Sequence, residues 1–249
     1  TLVLAGDGRE FNAAAMQTIV RMAAANGVGR LWVARGGVLS TPAASAVVRE
    51  REGGVAAGAI VLTASHNPGG LDGDFGIKFN TADGAPAKEA LTDAVYAASE
   101  TIESYKTVDG SADVDLSVEG ATEVAGMVVE VIDPVEDHLA VLRRCFDFDA
   151  ISALLARPDF SLRFDAMHGA IGPSAKAVLG GVLGAPDDAL ARCDPRPDFG
   201  GDHPDPNLKY AAALARALGV GPDGAPLAEA DGDGAAPPTF GVAADGDGD

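Results

Sequence analysis

Short apolar runs alternate with stretches of helical period along the first half of the chain. Thr1 to Ala5, Arg30 to Ala34 and Val55 to Leu62 are strand-length runs, the last with β-branched content. Between them, Asn12 to Ala25 repeats Met16, Ile19, Val20 and Ala23 on one helical face, and Thr41-Pro42 opens a second helix running to Glu50. A third helix is predicted over Ala87 to Tyr105, where Leu91, Val95, Ala98 and Ile102 recur at three- and four-residue spacing. Each stripe reads as core packing rather than a binding face. The rhythm is that of an α/β protein.

Val108 to Gly126 is acidic, rich in small residues and without clear period, and Met127 to Ile132 then reads as one more strand leading into Asp133-Pro134. A domain boundary is placed there, giving units of 1–134 and 135–249. The second unit carries predicted helices at Val135 to Arg144, Asp149 to Ala156, Pro173 to Leu183 and Asn207 to Leu218. Its predicted strands are Phe160 to Phe164 and Thr239 to Ala244. Gly221 to Pro238 has no aromatic residue and one large aliphatic, so it cannot bury enough apolar area to offset its ordering entropy. It is expected to be a disordered surface insertion, and Asp231-Gly232-Asp233-Gly234 within it a solvated loop.

With 249 residues and 47% hydrophobic content, the chain can build sizeable cores without staples. Cys145 and Cys193 lie far apart, outside any C-x-x-C or Cys/His cluster, and are read as reduced, buried thiols. Eighteen Lys and Arg against 37 Asp and Glu give a formal charge of −19 with no basic cluster, which argues against nucleic-acid binding. No apolar stretch reaches the roughly 20 residues of a membrane-spanning helix. The chain begins at Thr1 inside a predicted strand, without an initiator Met, so it is read as starting after the natural N-terminus and carries no information on targeting signals.

Two segments carry candidate chemistry. The strand ending at Leu62 feeds Thr63-Ala64-Ser65-His66-Asn67-Pro68-Gly69-Gly70, and Gly76-Ile77-Lys78-Phe79-Asn80 follows. A serine lifted out of the core on a rigid turn, with His66 and Lys78 able to supply a base and a cation, suits phosphoryl transfer. Taken alone, a Ser-His pair is an ordinary strand-to-loop connection. The second segment is Asp245-Gly246-Asp247-Gly248-Asp249, again following an apolar run. Its alternate carboxylates can turn toward one point and suit Mg²⁺. The same spacing also opens Ca²⁺ loops, which require a Glu seven positions beyond the third Asp.

The stretch from Thr63 to Asn80 closely resembles the phosphoserine loop of the phosphoglucomutase branch of the α-D-phosphohexomutase superfamily. Gly6-Asp7-Gly8-Arg9, Leu39-Ser40-Thr41-Pro42-Ala43, Phe164-Asp165-Ala166-Met167-His168-Gly169 and Asp198 to Asn207 resemble further segments in that family's order. The resemblance implies two consecutive phosphohexomutase-type α/β domains with mixed sheets, from an expected four-domain protein. It implies Ser65, Lys78 and His66 as catalytic residues, with Lys78 the first candidate for acid/base work. Metal binding falls to Asp245, Asp247 and Asp249, completed by Ser65 through its phosphate; Asp249 and Arg9 are implied as substrate-binding. Arg9 is open between a phosphate contact and a surface cation at a strand end. His168 reads as a turn histidine bonded to backbone, and His203 as turn scaffolding or a substrate contact.

The implied reaction is interconversion of glucose 1-phosphate and glucose 6-phosphate through a phosphoserine and a glucose 1,6-bisphosphate intermediate, with Mg²⁺. A hexose phosphate is the expected partner, a monomer the expected state and the cytoplasm the expected location, with the plastid left open. The family's Ser-Gly-Leu-Arg type segment would precede Thr1, an arginine would follow Asp249, and two further domains would follow that. These 249 residues alone are therefore expected to be inactive as a mutase. The alternatives are a relative acting on another hexose phosphate, such as mannose or N-acetylglucosamine phosphates, and a non-catalytic phosphorylated binding or secretion-linked module.

Overall fold

Four central strands are apolar along nearly their whole length, and in three of them both faces are covered. The structure, a computed structural model, describes residues 1–227 and 237–249. Its first part runs β1 (Leu2–Gly6), α1 (Asn12–Ala25), β2 (Arg30–Ala34), α2 (Thr41–Glu50), β3 (Gly58–Leu62), β4 (Ile77–Thr81), α3 (Glu89–Ser99), β5 (Gly120–Val124) and β6 (Met127–Ile132). The six strands form one sheet in the order β4-β3-β1-β2-β6-β5. The inner pairings are parallel, and the edge strands β4 and β5 run antiparallel to their neighbours. The sheet is therefore mixed.

Side-chain alternation splits the core in two. Val3, Ala5, Trp32 and Ala34 pack with Ala43, Ala44, Val47 and Val48 of α2. On the opposite face Leu4, Leu31, Val33 and Leu62 meet Met16, Val20 and Ala23 of α1. Burial of each of these leucines contributes about 1.5–3 kcal/mol. The connection from β1 goes to β2 on one side, and the chain then crosses back to β3 on the other. The carboxyl ends of β1 and β3 thus flank a topological switch point, where α/β sheets place ligands.

The rest comprises α4 (Glu136–Cys145), α5 (Phe148–Leu155), β7 (Leu162–Asp165), α6 (Gly172–Ala175), β8 (Leu190–Ala191), α7 (Ala212–Ala217) and β9 (Phe240–Ala243). Strands β8-β7-β9 form a parallel sheet. After α6 the chain continues as a wider π-type helix over Lys176–Val182.

Several expectations need correction. The strand expected from Val55 begins at Gly58. Strand β4, which was not among the strands expected, is an edge strand whose Ile77 and Phe79 face outward and whose Lys78 lies on the sheet's other side. The helix expected over Ala87 to Tyr105 shortens to α3, which buries no residue: Leu91 and Val95 within it and Ile102 beyond it are exposed, and it is α1 and α2 that occupy the sheet's two faces. Val108 to Gly126 is anchored. Gln17 brackets the backbone of Val114 with two hydrogen bonds, and the segment ends in β5. Cys145 is exposed, at the end of a helix with no buried residue, whereas Cys193 is buried; both are free thiols. The helix expected from Asn207 to Leu218 contracts to α7, after a turn closed by Asn207. Residues 221–227 form a hydrogen-bonded turn, with Gly221 N–H donating to Ala225 O and Leu227 N–H to Gly219 O, so this part of the expected insertion is ordered. Asp231 to Gly234 lie outside the described residues.

One glycine sets the spacing of the strands that carry Ser65 and Lys78. The Gly76 carbonyl accepts from Thr63 N–H at 3.0 Å, and a Cβ placed on Gly76 would run into the Thr63 carbonyl oxygen. Gly76→Ala should therefore lower stability by about 1–3 kcal/mol, as overpacking does, read as a shift in urea midpoint at unchanged m-value.

Candidate active site

Ser65 sits two residues beyond Thr63, just past the carboxyl end of β3. Its φ of 53° lies in the left-handed region, which in a non-glycine residue costs about 1–3 kcal/mol and is held only by surrounding structure. The antiparallel β3–β4 register pairs Val61 with Lys78. This brings the Lys78 ammonium back onto the serine, where Nζ donates to Ser65 Oγ. Lys78 Nζ also donates to Asp247 Oδ2 at 3.1 Å, and Ser65 Oγ lies 3.5 Å from that same oxygen.

Asp247 arrives from the other sheet. Beyond β9, Ala244 N–H donates to Asp165 O, and the chain turns so that carboxylate oxygens of Asp245, Asp247 and Asp249 all lie within 4.8 Å of one another. Asp245 and Asp247 are buried and Asp249 is exposed. Asp245 Oδ1 accepts the backbone N–H groups of Gly248 and Asp249, at 2.9 and 3.1 Å. Asp247 Oδ2 accepts from Thr41 Oγ1 at 2.9 Å as well as from Lys78. Glycine is required where loops meet: a Cβ on Gly246 would lie 2.7 Å from Ser65 O, and one on Gly169 would lie 2.7 Å from Asp245 O.

The electrostatics of the acidic loop are unbalanced. Burial, reinforced by the charge of Asp247, pushes the Asp245 carboxyl up to about 7. Burial also raises Asp247, but the Lys78 ammonium and the hydrogen bonds from Lys78 and Thr41 outweigh it and hold this carboxyl below its usual range. Asp247 Oδ1 is buried without a hydrogen-bond partner. Crowded carboxylates with an orphaned oxygen are what a hard divalent cation relieves, so these residues fit Mg²⁺.

Of the residues singled out in the sequence, Ser65, Lys78, Asp245, Asp247 and Asp249 are brought to one place. His66 is exposed and makes no hydrogen bond or ion pair among the described residues. Arg9 is neither a surface cation nor turned to a ligand. It is 2% exposed, and its guanidinium is taken up by Asp7, Asp74 O and Ser65 O. His168 Nδ1 bonds Asp194 O at 2.8 Å, the turn role expected of it. His203 stacks on Tyr210, with ring centroids 4.3 Å apart. Thr41, Thr63 and Asp7 were not singled out as site residues. Each lies in a segment that resembles the family, Asp7 and Thr63 just beyond the carboxyl ends of β1 and β3 and Thr41 at the first position of α2, but nothing in those segments marks its partner.

Residues 1–106 match the family model for phosphoglucomutase/phosphomannomutase, alpha/beta/alpha domain I. A cytoplasmic phosphoglucomutase of Solanum tuberosum is 48% identical over 256 residues, covering 100% of this chain and 42% of that protein. The cytoplasmic phosphoglucomutase of Populus tremula is 46% identical, with the same coverage. Among solved structures, the open form of the exocytosis-sensitive phosphoprotein pp63/parafusin, a phosphoglucomutase from Paramecium, superposes with a TM-score of 0.89 at 42% identity. That match covers 99% of this chain and 44% of the Paramecium chain. The chain thus spans less than half the length of these relatives.

Proposed function

The chain belongs to the phosphoglucomutase/phosphomannomutase family, and on that premise we propose that it carries the phosphoserine and the metal site of a phosphoglucomutase. The proposed reaction interconverts glucose 1-phosphate and glucose 6-phosphate through glucose 1,6-bisphosphate. The observation that carries this reading is the convergence of Lys78 Nζ and Asp247 Oδ2 on Ser65 Oγ. A nucleophile, an acid and a metal-ligand carboxylate at one point form a phosphoryl-transfer site.

In the transfer from enzyme to sugar, the Oγ–P bond of phosphorylated Ser65 breaks as that phosphorus bonds a free hydroxyl oxygen of the hexose monophosphate. The hydroxyl proton ends on Ser65 Oγ. Lys78 is placed to deliver it, since its ammonium already touches that oxygen. The return step runs the same exchange with the other phosphate of the bisphosphate. Asp245, Asp247 and Asp249 would hold Mg²⁺ together with an oxygen of the Ser65 phosphate. When bound, the ion adds to Lys78 the positive charge that phosphate oxygens need in a chain of formal charge −19. His66, exposed beside the serine, is left to meet the substrate. Arg9 positions the serine loop. The cytoplasmic relatives support the same location for this protein.

Incubation with ³²P-labelled glucose 1,6-bisphosphate and Mg²⁺ should place acid-stable label on a serine, and chelation should suppress it. Label that is absent, or indifferent to chelation, would overturn the reading. Metal binding has a separate readout. At a hundredfold excess over Kd, Mg²⁺ should stabilise the fold by about 2.7 kcal/mol. For a chain of this size that is a rise in Tm of about 5–10 °C, reversed by EDTA.

A further inference from the structure

We infer that Asp7, Arg9 and Thr63 are positioning residues that hold Ser65 in its left-handed backbone conformation, and so hold Oγ against Lys78 and Asp247. The inference rests on the phosphoserine reading. Its ground is where the hydrogen bonds end. Both backbone polar groups of Ser65 are taken by side chains: its N–H donates to Thr63 Oγ1 at 2.9 Å, and its carbonyl accepts from Arg9 Nη2 at 2.9 Å. Both of these side chains then converge on one carboxylate. Thr63 Oγ1 donates to Asp7 Oδ2 at 2.6 Å, and Arg9 Nε donates to the same oxygen at 2.7 Å.

Asp7 itself is fixed to the sheet. Its Oδ1 accepts from Arg9 N–H at 3.0 Å and from Asn12 Nδ2 at 3.2 Å, at the start of α1. Arg9 Nη1 reaches on to Asp74 O at 2.7 Å, so one guanidinium clasps both ends of the serine loop. The Phe199 ring, fully buried, lies 5.2 Å from that guanidinium. Asp7, Arg9 and Thr63 are at most 2% exposed.

Stability alone does not call for this arrangement. A buried ion pair is commonly matched or bettered by apolar residues of similar volume, and valine has the shape of Thr63 with no polar group to satisfy. What valine lacks is a hydroxyl that donates to Asp7 while accepting from Ser65. Without that link the Ser65 amide loses its acceptor, and its φ of 53° loses one of two holds. A serine relaxing toward the ordinary β region would carry Oγ away from both Lys78 and Asp247.

The test compares Thr63→Val with Thr63→Ser in uptake of label from ³²P-glucose 1,6-bisphosphate, in the Mg²⁺-induced Tm shift, and in amide exchange of residues 63–67. Thr63→Val should fold and keep its Mg²⁺ response, while labelling slows about tenfold to a hundredfold, the scale of an ångström-level misplacement, and exchange at Ser65 accelerates. Thr63→Ser should restore both to within about twofold of wild type. If Thr63→Val does not fold, Arg9→Lys keeps a cation beside Asp7 but removes the Ser65 carbonyl contact, and should show the same slowing. Labelling of Thr63→Val or Arg9→Lys at the wild-type rate overturns the inference, as does a Thr63→Ser variant as slow as Thr63→Val. A wild-type chain that takes up no label removes the phosphoserine reading itself, and this inference with it.

Discussion

Ser65→Ala loses uptake of label from glucose 1,6-bisphosphate by about a thousandfold or more, the scale on which enzymes lose activity when a nucleophile is removed. The effect is large because nothing nearby can replace the lost oxygen. Among the groups described around Asp247 Oδ2, Thr41 Oγ1 is the other hydroxyl, and it is committed as a donor to that carboxylate at 2.9 Å. Structure is spared. Lys78 keeps its 3.1 Å contact with Asp247, so the acidic loop retains its charge partner and the Mg²⁺-induced Tm shift should match wild type. The backbone holds from Thr63 and Arg9 are to main-chain atoms and also survive. Mapping the label in wild type by peptide mass spectrometry should return the peptide containing Ser65. Equal labelling of Ser65→Ala would move the nucleophile elsewhere.

The sequence disclosed most where one local signal sufficed. Helix α1 runs where its apolar period puts it, and α2 runs from Thr41-Pro42 to Glu50 as expected. Strand β2 was legible as an apolar run because both its faces are covered, and β6 because Met127, Val129, Val131 and Ile132 are buried although Val128 is exposed. Edge strands failed for the converse reason. Four of the five β5 residues are exposed, so Gly120 to Val124 offers no apolar contrast, and β4 alternates only weakly across a glycine-rich approach. Helix α3 shows that period reports a stripe and not its partner: its apolar residues keep their spacing yet cover nothing.

The same limit applies to the site. Ser65, Lys78 and the three aspartates stand in compact motifs, whereas Thr41 reaches Asp247 across 206 positions and Thr63 reaches Asp7 across 56. Both threonines stand in segments that resemble the family, yet no spacing within a segment tells which distant carboxylate a hydroxyl will meet. Arg9 was visible but left open between a phosphate contact and a surface cation, and only the fold reveals that Asp7 and two loop carbonyls take up its donors. His66 is the reverse, adjacent in sequence to Ser65 but without a hydrogen bond or ion pair among the described residues.

Asp247→Asn should abolish the Mg²⁺-induced Tm shift and cut label uptake by about a hundredfold or more, because this one side chain serves both halves of the site. Its Oδ2 anchors Lys78 beside Ser65 Oγ, while its buried Oδ1 has no partner and is the oxygen most in need of a cation. An amide of the same shape can still accept from Thr41, so the loop keeps its place, but it brings no charge to the ion or to the Lys78 ammonium. The metal-free protein should hardly lose stability. Asp245 is raised to about 7 by burial and by the charge of Asp247, and removing that charge relieves a repulsion. The lost Lys78 pair offsets little, since the Lys78 side chain is 40% exposed and water screens it. Asp249→Asn is the comparison, because Asp249 is exposed and its backbone N–H, not its carboxylate, is what Asp245 binds. It should weaken the Mg²⁺ response without erasing it. Thermal shifts of the two variants against Mg²⁺ concentration decide the matter: a response retained in Asp247→Asn would take the ion out of the Asp245–Asp249 loop and leave Lys78 as the cation facing the phosphoserine.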